Sequence, residues 1–204
     1  MNAPLAPVVN HHADHRGFAG PIGLAMGFVM LALGRRRART VADLAAVTEA
    51  DHVLDIGCGP GGAVQAAARR GARVTGVDPS ASMMRLARVF ARGKAIRWAT
   101  GVAENLPLPD GAVTVAWAVA TVHHWPDVTG GLAEAYRVLQ PGGRFLTVER
   151  AVQADATGLS SHGWTGEQAE AFANLCRAAH FTEVQVERHV MGRYTLWAVH
   201  ATRP

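Results

Sequence analysis

From Asp51 onward, short apolar runs alternate with stretches in which apolar residues recur at helical spacing. Val53–Ile56, Arg73–Val77, Ala95–Ala99, Ala112–Val119 and Arg144–Val148 read as strands. Between them the pattern predicts helices over Gly61–Arg70, stopped by Gly71, and over Ser80–Arg92, with Ser80 as N-cap and Gly93 past its end. A third helix, Asp127–Leu139, is closed by a Pro141-Gly142-Gly143 turn. After an irregular stretch around Asp155–Gly163 comes a helix near Thr165–Ala179. Two last strands, Glu183–Val190 and Tyr194–Ala201, are joined by a few residues near Gly192 and so form a hairpin. The alternation predicts an α/β fold: a doubly wound, mostly parallel seven-stranded sheet with helices on both faces, right-handed crossovers and one antiparallel C-terminal strand.

Residues 1–50 precede the first strand and carry an uncharged apolar run, Pro21–Leu33, followed by Arg35, Arg36, Arg37 and Arg39. The run is shorter than the roughly 20 residues a membrane-spanning helix needs. Its positive charges follow it, the reverse of a secretory signal. The expectation is an N-terminal helical cap over residues 1–50, acting as a lid on a domain over residues 51–204. Gly23 and Gly27 suit close packing and Gly34 suits its end. The alternative is a helix lying on a membrane surface through residues 18–39.

Composition narrows the picture. At 204 residues and 49% hydrophobic, the chain has material for one compact core. Two cysteines, Cys58 and Cys176, are too few for a disulfide framework, and a reduced cytoplasmic setting is expected. The net charge of +4 is almost all arginine, Lys94 being the only lysine, and no aromatic residues are interleaved for base stacking. No nucleic-acid partner is expected.

The sharpest chemical signal is Asp55-Ile-Gly-Cys-Gly-Pro-Gly61, which leaves a strand and opens a helix. Glycines there let the backbone approach a ligand, and the helix start offers N–H groups to it. Asp78 ends the next strand, 21 positions after Gly57, where a carboxylate can accept from ribose hydroxyls. Gly57, Gly59 and Gly62 also satisfy the dinucleotide fingerprint. An acidic residue two before the first glycine, the lack of a Tyr-x-x-x-Lys pair and the terminal hairpin turn the reading away from NAD.

On these residues the chain resembles the class I S-adenosylmethionine-dependent methyltransferases, with a Rossmann-like fold, and within them the small-molecule group that includes the quinone-biosynthesis methyltransferases. The resemblance runs from Val53 to Glu149. It rests on Val53–Gly61, Gly76–Ser80, Ala103-Glu-Asn-Leu-Pro107, and His123-His-Trp-Pro-Asp127 with Leu139–Gly143. It implies S-adenosylmethionine as cofactor, with Gly57, Gly59 and Gly61 facing its methionine part and Asp55 behind them. Asp78 would take the ribose hydroxyls, Pro79 and Met83 flank the adenine, Ala103 lie at its edge, and a carbonyl near Ala118 accept from the ammonium. Val102 stands where many relatives carry an aspartate, which leaves adenine N6 to the backbone or to Glu104.

A sulfonium methyl is already activated, so transfer needs alignment and exclusion of water. A general base helps where the acceptor is a hydroxyl or a protonated amine. His123 and His124, past the fourth strand, are the candidates, and holding the loop is the other role open to each. His162 is a third candidate from the far side of the cleft. His11, His12 and His15 read as a flexible polar terminus, and no metal is expected. The acceptor expected is a small, partly apolar molecule in a pocket walled by Phe18, Met26, Phe28 and Met30 and by the segment His162–Trp164. A non-catalytic cofactor-binding or membrane-surface protein on the same fold is the competing expectation.

Overall fold

A computed structural model describes residues 7–13, 20–192 and 194–204. The strands are β1 (His52–Ile56), β2 (Arg73–Val77), β3 (Ile96–Ala99), β4 (Val113–Val119), β5 (Leu139–Arg150), β6 (Thr182–Met191) and β7 (Tyr194–Thr202). They form one sheet in the order β3-β2-β1-β4-β5-β7-β6. β1 to β5 pair in parallel, and β7 runs antiparallel to both β5 and β6. The strand order reverses between β1 and β4, the place where ligands bind in doubly wound sheets.

Period-two alternation sends strand residues to two layers. Leu54, Ile56, Ala116, Ala118 and Phe145 face one layer, which includes Leu132 of α5 (Val128–Val138) and Phe172 of α6 (Gly166–Ala178). Val53, Val74, Val115 and Trp117 face the other, with Val41 of α2 (Arg35–Leu44), Val64 of α3 (Gly62–Ala68) and Met84 of α4 (Ala81–Phe90). Because both faces are covered, β4 reads as an almost continuous apolar run. Side-chain caps fix three helix starts. Ser80 accepts from Met83 N–H, Asp127 accepts from Gly130 N–H, and Thr165 forms a capping box with Gln168.

Three features depart from the sequence reading. The arginines after the apolar run begin a second helix, α2, whose Ala38, Val41 and Ala42 are buried. Three consecutive arginines hid its amphipathic pattern. The Pro141-Gly142-Gly143 turn is a bulge inside β5: Leu139 pairs with Val113, Gly142 adopts φ 75°, and the ladder resumes with Arg144 opposite Val115. Finally, His11 and His12 do not belong to a loose terminus. Val9 is buried in the main core, its carbonyl accepts from Trp164 Nε1, Asn10 Nδ2 donates to Trp125 O, and His12 N–H donates to His123 O. These contacts strap residues 8–12 across the loop after β4. His15 and Phe18 lie outside the described residues.

α1 (Gly20–Leu33) covers the apolar run and packs on α4, where Gly27 lies against Leu86 and Met83. No helix among the described residues is long and apolar enough to cross a membrane.

Candidate active site

The loop between β1 and α3 turns on three left-handed glycines, Gly57, Gly59 and Gly61, with φ of 71°, 52° and 85°. At Gly57 a Cβ would stand 2.2 Å from Thr121 Oγ1, so the loops after β1 and β4 meet there with no room for a side chain. Asp78 ties the loop to the start of α4. Its Oδ2 accepts from Gly59 N–H and its Oδ1 from Ser80 N–H, both at 2.8 Å. Burial pushes its carboxyl up from the usual range, and those two N–H groups pull it back.

Asp55 on β1 is 1% exposed, and its Oδ2 has no hydrogen-bond partner. Burial pushes its pKa up to about 7, with the Trp117 indole opposing and the charge of Asp78 adding to the rise. A buried carboxylate oxygen without a donor, beside a glycine cradle, fits a ligand carrying an ammonium group. The set therefore fits S-adenosylmethionine.

The remaining sequence candidates are placed unevenly. Met83 is buried against Gly27 of α1, Pro79 is exposed, and Ala103 is buried in the core. Glu104 Oε1 accepts from Asp127 N–H and so holds the start of α5. Ala118 lies inside the ladder, paired with Ile56 on one side and Thr147 on the other. Val119, one residue on, is the one that lines the cavity beside Asp55 and Gly57.

That cavity holds only about 60 Å³, because Met30 of α1 reaches over Gly59, its methyl 3.6 Å from where a Cβ would be. Arg37 of α2 lines the same cavity. Among the described residues no hydrogen bond or ion pair holds its guanidinium. Burial lowers its pKa, with Glu149 opposing and Arg150 adding to the fall. An unpaired, largely buried cation next to the glycine loop is a receptor for an anion. Sequence reasoning missed it because α2 was not foreseen. A larger cleft of about 430 Å³ opens between α1 and the β6–β7 hairpin, lined by Val29, Leu33, Arg37, Arg150, Met191 and Tyr194.

The histidines after β4 occupy a 3-10 turn, Val122–His124. His123 is 2% exposed, and its Nδ1 lies 2.9 Å from Glu149 Oε2, while Glu149 Oε1 accepts from Val122 N–H. Glu149 thus fixes both the turn and the ring. His124 Nδ1 donates to His12 O at 3.3 Å. Burial, with the charge of His123 beside it, lowers the His124 pKa to about 4. His162 joins them, its ring centroid 5.4 Å from that of His123 and 5.3 Å from that of His124. Trp164, expected in the pocket wall, is fully buried among core residues such as Phe172, so it touches no cleft.

A switch-point glycine loop, an acidic residue behind it and a second at the end of β2 fit a nucleoside-cofactor domain of the S-adenosylmethionine-dependent class. Residues 54–147 match the family model of the methyltransferase domain. A ubiquinone/menaquinone biosynthesis C-methyltransferase of Rubrivivax gelatinosus is 40% identical over 127 residues, 61% of this chain and 48% of that one. The chain thus spans about half the length of that relative. Among solved structures, a SAM-dependent methyltransferase from Aquifex aeolicus superposes with a TM-score of 0.72 at 17% identity, over 89% of this chain and 98% of that one. A protein described as a [4+2]-cyclase superposes with a TM-score of 0.71 at 20% identity, over 85% and 82%. These two likenesses show the fold.

Proposed function

We propose that the chain transfers the methyl group of S-adenosylmethionine to a small, partly apolar acceptor by in-line displacement. The observation that carries this reading is the buried, partnerless Asp55 oxygen beside the Gly57–Gly61 cradle, with Asp78 at the adjoining strand end. Asp78 keeps lone pairs for ribose hydroxyls. Asp55 and the carbonyl of Val119 receive the ammonium, Arg37 pairs with the carboxylate, and Pro79, Met83 and Ala103 flank the adenine. When bound, the cofactor supplies a methyl already activated by the sulfonium. The acceptor lies in the cleft between α1 and the hairpin, which shares Arg37 with the cofactor cavity. Its apolar walls and the likeness to a quinone methyltransferase support a ring-bearing acceptor. Ligand pockets commonly need about 300–1,000 Å³, so α1 must lift from Gly59 to admit the cofactor. That makes α1 a lid on the domain, within the N-terminal cap of residues 1–50. Calorimetry should show binding of S-adenosylmethionine or its demethylated product and none of NAD, and preferential NAD binding would overturn the reading. Asp78→Ala should lose about 1.5–3 kcal/mol of cofactor affinity, roughly 10- to 150-fold.

His124 is the better placed base, since it is half-buried and stays neutral down to a pKa of about 4, while His123 is fully buried against Glu149. Rate should therefore fall on the acid side near pH 4 rather than near 6.5, the ordinary histidine value. His124→Ala should slow transfer by about 10²–10⁴ and remove that limb. A parent limb near 6.5, or a variant that keeps the parent's profile, would take the base elsewhere. The exposed Phe28, Val29 and Leu33 on α1 favour a second reading, contact with a membrane surface. Salt-reversible pelleting with anionic vesicles would support it.

A further inference from the structure

Five of the ten histidines, far apart in sequence, converge on the loop after β4. From this convergence we infer that His123, His124 and His162 form a binding site for a divalent late transition-metal ion of the zinc or cobalt type. One ligand nitrogen from each lies within 4.8 Å of the other two. A tetrahedral ion about 2.0–2.1 Å from each would hold them about 3.4 Å apart, which asks each ring to move by less than about 1 Å.

Three further observations make this a built site rather than a chance cluster. Glu149, fully buried, accepts from His123 Nδ1, and a carboxylate behind a ligating imidazole is the usual support of such a ligand. A proton on Nδ1 leaves Nε2 as the lone pair. The same holds at His124, whose Nδ1 donates to the His12 carbonyl, an oxygen that can only accept. Both rings are thus set in the tautomer that presents Nε2, and an ion held there would take the Nε2 lone pair of His124 out of the base role proposed above. His12 stacks on His162 with centroids 4.1 Å apart and planes 12° from parallel, which holds the third ring in place.

Three imidazoles leave the fourth position of a tetrahedral ion open, the arrangement of catalytic rather than structural zinc. Thr121, two residues before His123, abuts Gly57 of the cofactor loop. The open position therefore lies at the same end of the sheet as the Gly57–Gly61 loop. No ligand spacing marks these three residues as a metal site in the sequence. His162 is 38 positions beyond His124, and only the strap formed by residues 8–12 and the turn after β5 bring the rings together.

The test is titration of chelator-treated, untagged full-length protein with Co²⁺ alone, read by calorimetry and by visible ligand-field absorption. It does not depend on methyl transfer. The expected result is one Co²⁺ per chain with the intense absorption of a tetrahedral nitrogen–oxygen site, displaced by Zn²⁺. His162→Ala and His124→Ala should each weaken binding by at least tenfold and abolish the tetrahedral spectrum. Glu149→Gln should weaken it by about 10- to 100-fold. No binding by the folded parent, or binding that survives unchanged in both histidine variants, overturns the inference.

Discussion

Removal of residues 1–33 is expected to abolish methyl transfer while leaving cofactor binding weaker but measurable. The lid role proposed for this region places α1 over Gly59 through Met30 and makes α1 one wall of the 430 Å³ cleft. Without it the acceptor loses its positioning surface and water reaches the sulfonium, whereas Asp55, Gly57 and Asp78 remain on the sheet. The same truncation removes the strap, and this has a separate cost. Val9 is 4% exposed, and burial of a valine is worth about 1.5–3 kcal/mol. The Trp164 indole N–H loses its acceptor, at about 1 kcal/mol or more. Removal of residues 1–13 alone separates the two effects. It should lower stability to denaturant by a few kcal/mol and leave α1 in place, so that cofactor affinity stays near the parent value. A truncation of residues 1–33 that turns over at the parent's rate would end the lid proposal.

The parts of the fold legible in the sequence are those where local signals act alone. The strand β4 is apolar at nearly every position because it is covered on both faces, and Ser80, Asp127 and Thr165 announce helix starts through their own side chains. The Gly57–Gly61 loop is legible for the same reason, since its glycines stand where only a left-handed backbone closes the turn. What escaped depends on partners distant in the chain. Arg37 gains its meaning from Asp55 and Glu149, and α2 from the sheet face that it covers. The strap is short and polar, with Val9 its one buried aliphatic anchor, so no periodicity marks it. Trp164 was misplaced because an aromatic residue beside His162 looks like a pocket wall, while its indole in fact docks on the strap.

Asp55 should make the ligand-free protein less stable as pH rises. Its folded pKa of about 7 lies above the unfolded value near 3.8, so between these limits the folded state holds a proton that the unfolded state has lost. By linkage, the stability this proton provides is fully present below about pH 4 and is lost as pH rises through 7. About three pH units at 1.36 kcal/mol each give a change on the order of 4 kcal/mol. Asp78 is shifted in the same direction and adds to it. Asp55→Asn cannot ionise, so its unfolding free energy should fall less than the parent's between pH 5 and 8.5, and the ligand-free variant should be the more stable of the two at pH 8.5. Its cofactor affinity should drop, because an ammonium prefers a charged carboxylate to an amide. In the parent, the cofactor's positive charge should draw the Asp55 pKa down, so binding at pH 6 should release close to one proton and binding at pH 8.5 almost none. Calorimetry in buffers of different ionisation enthalpy measures that release directly. If parent and variant share one pH–stability curve and binding releases no proton at pH 6, Asp55 is not the group that meets the ammonium.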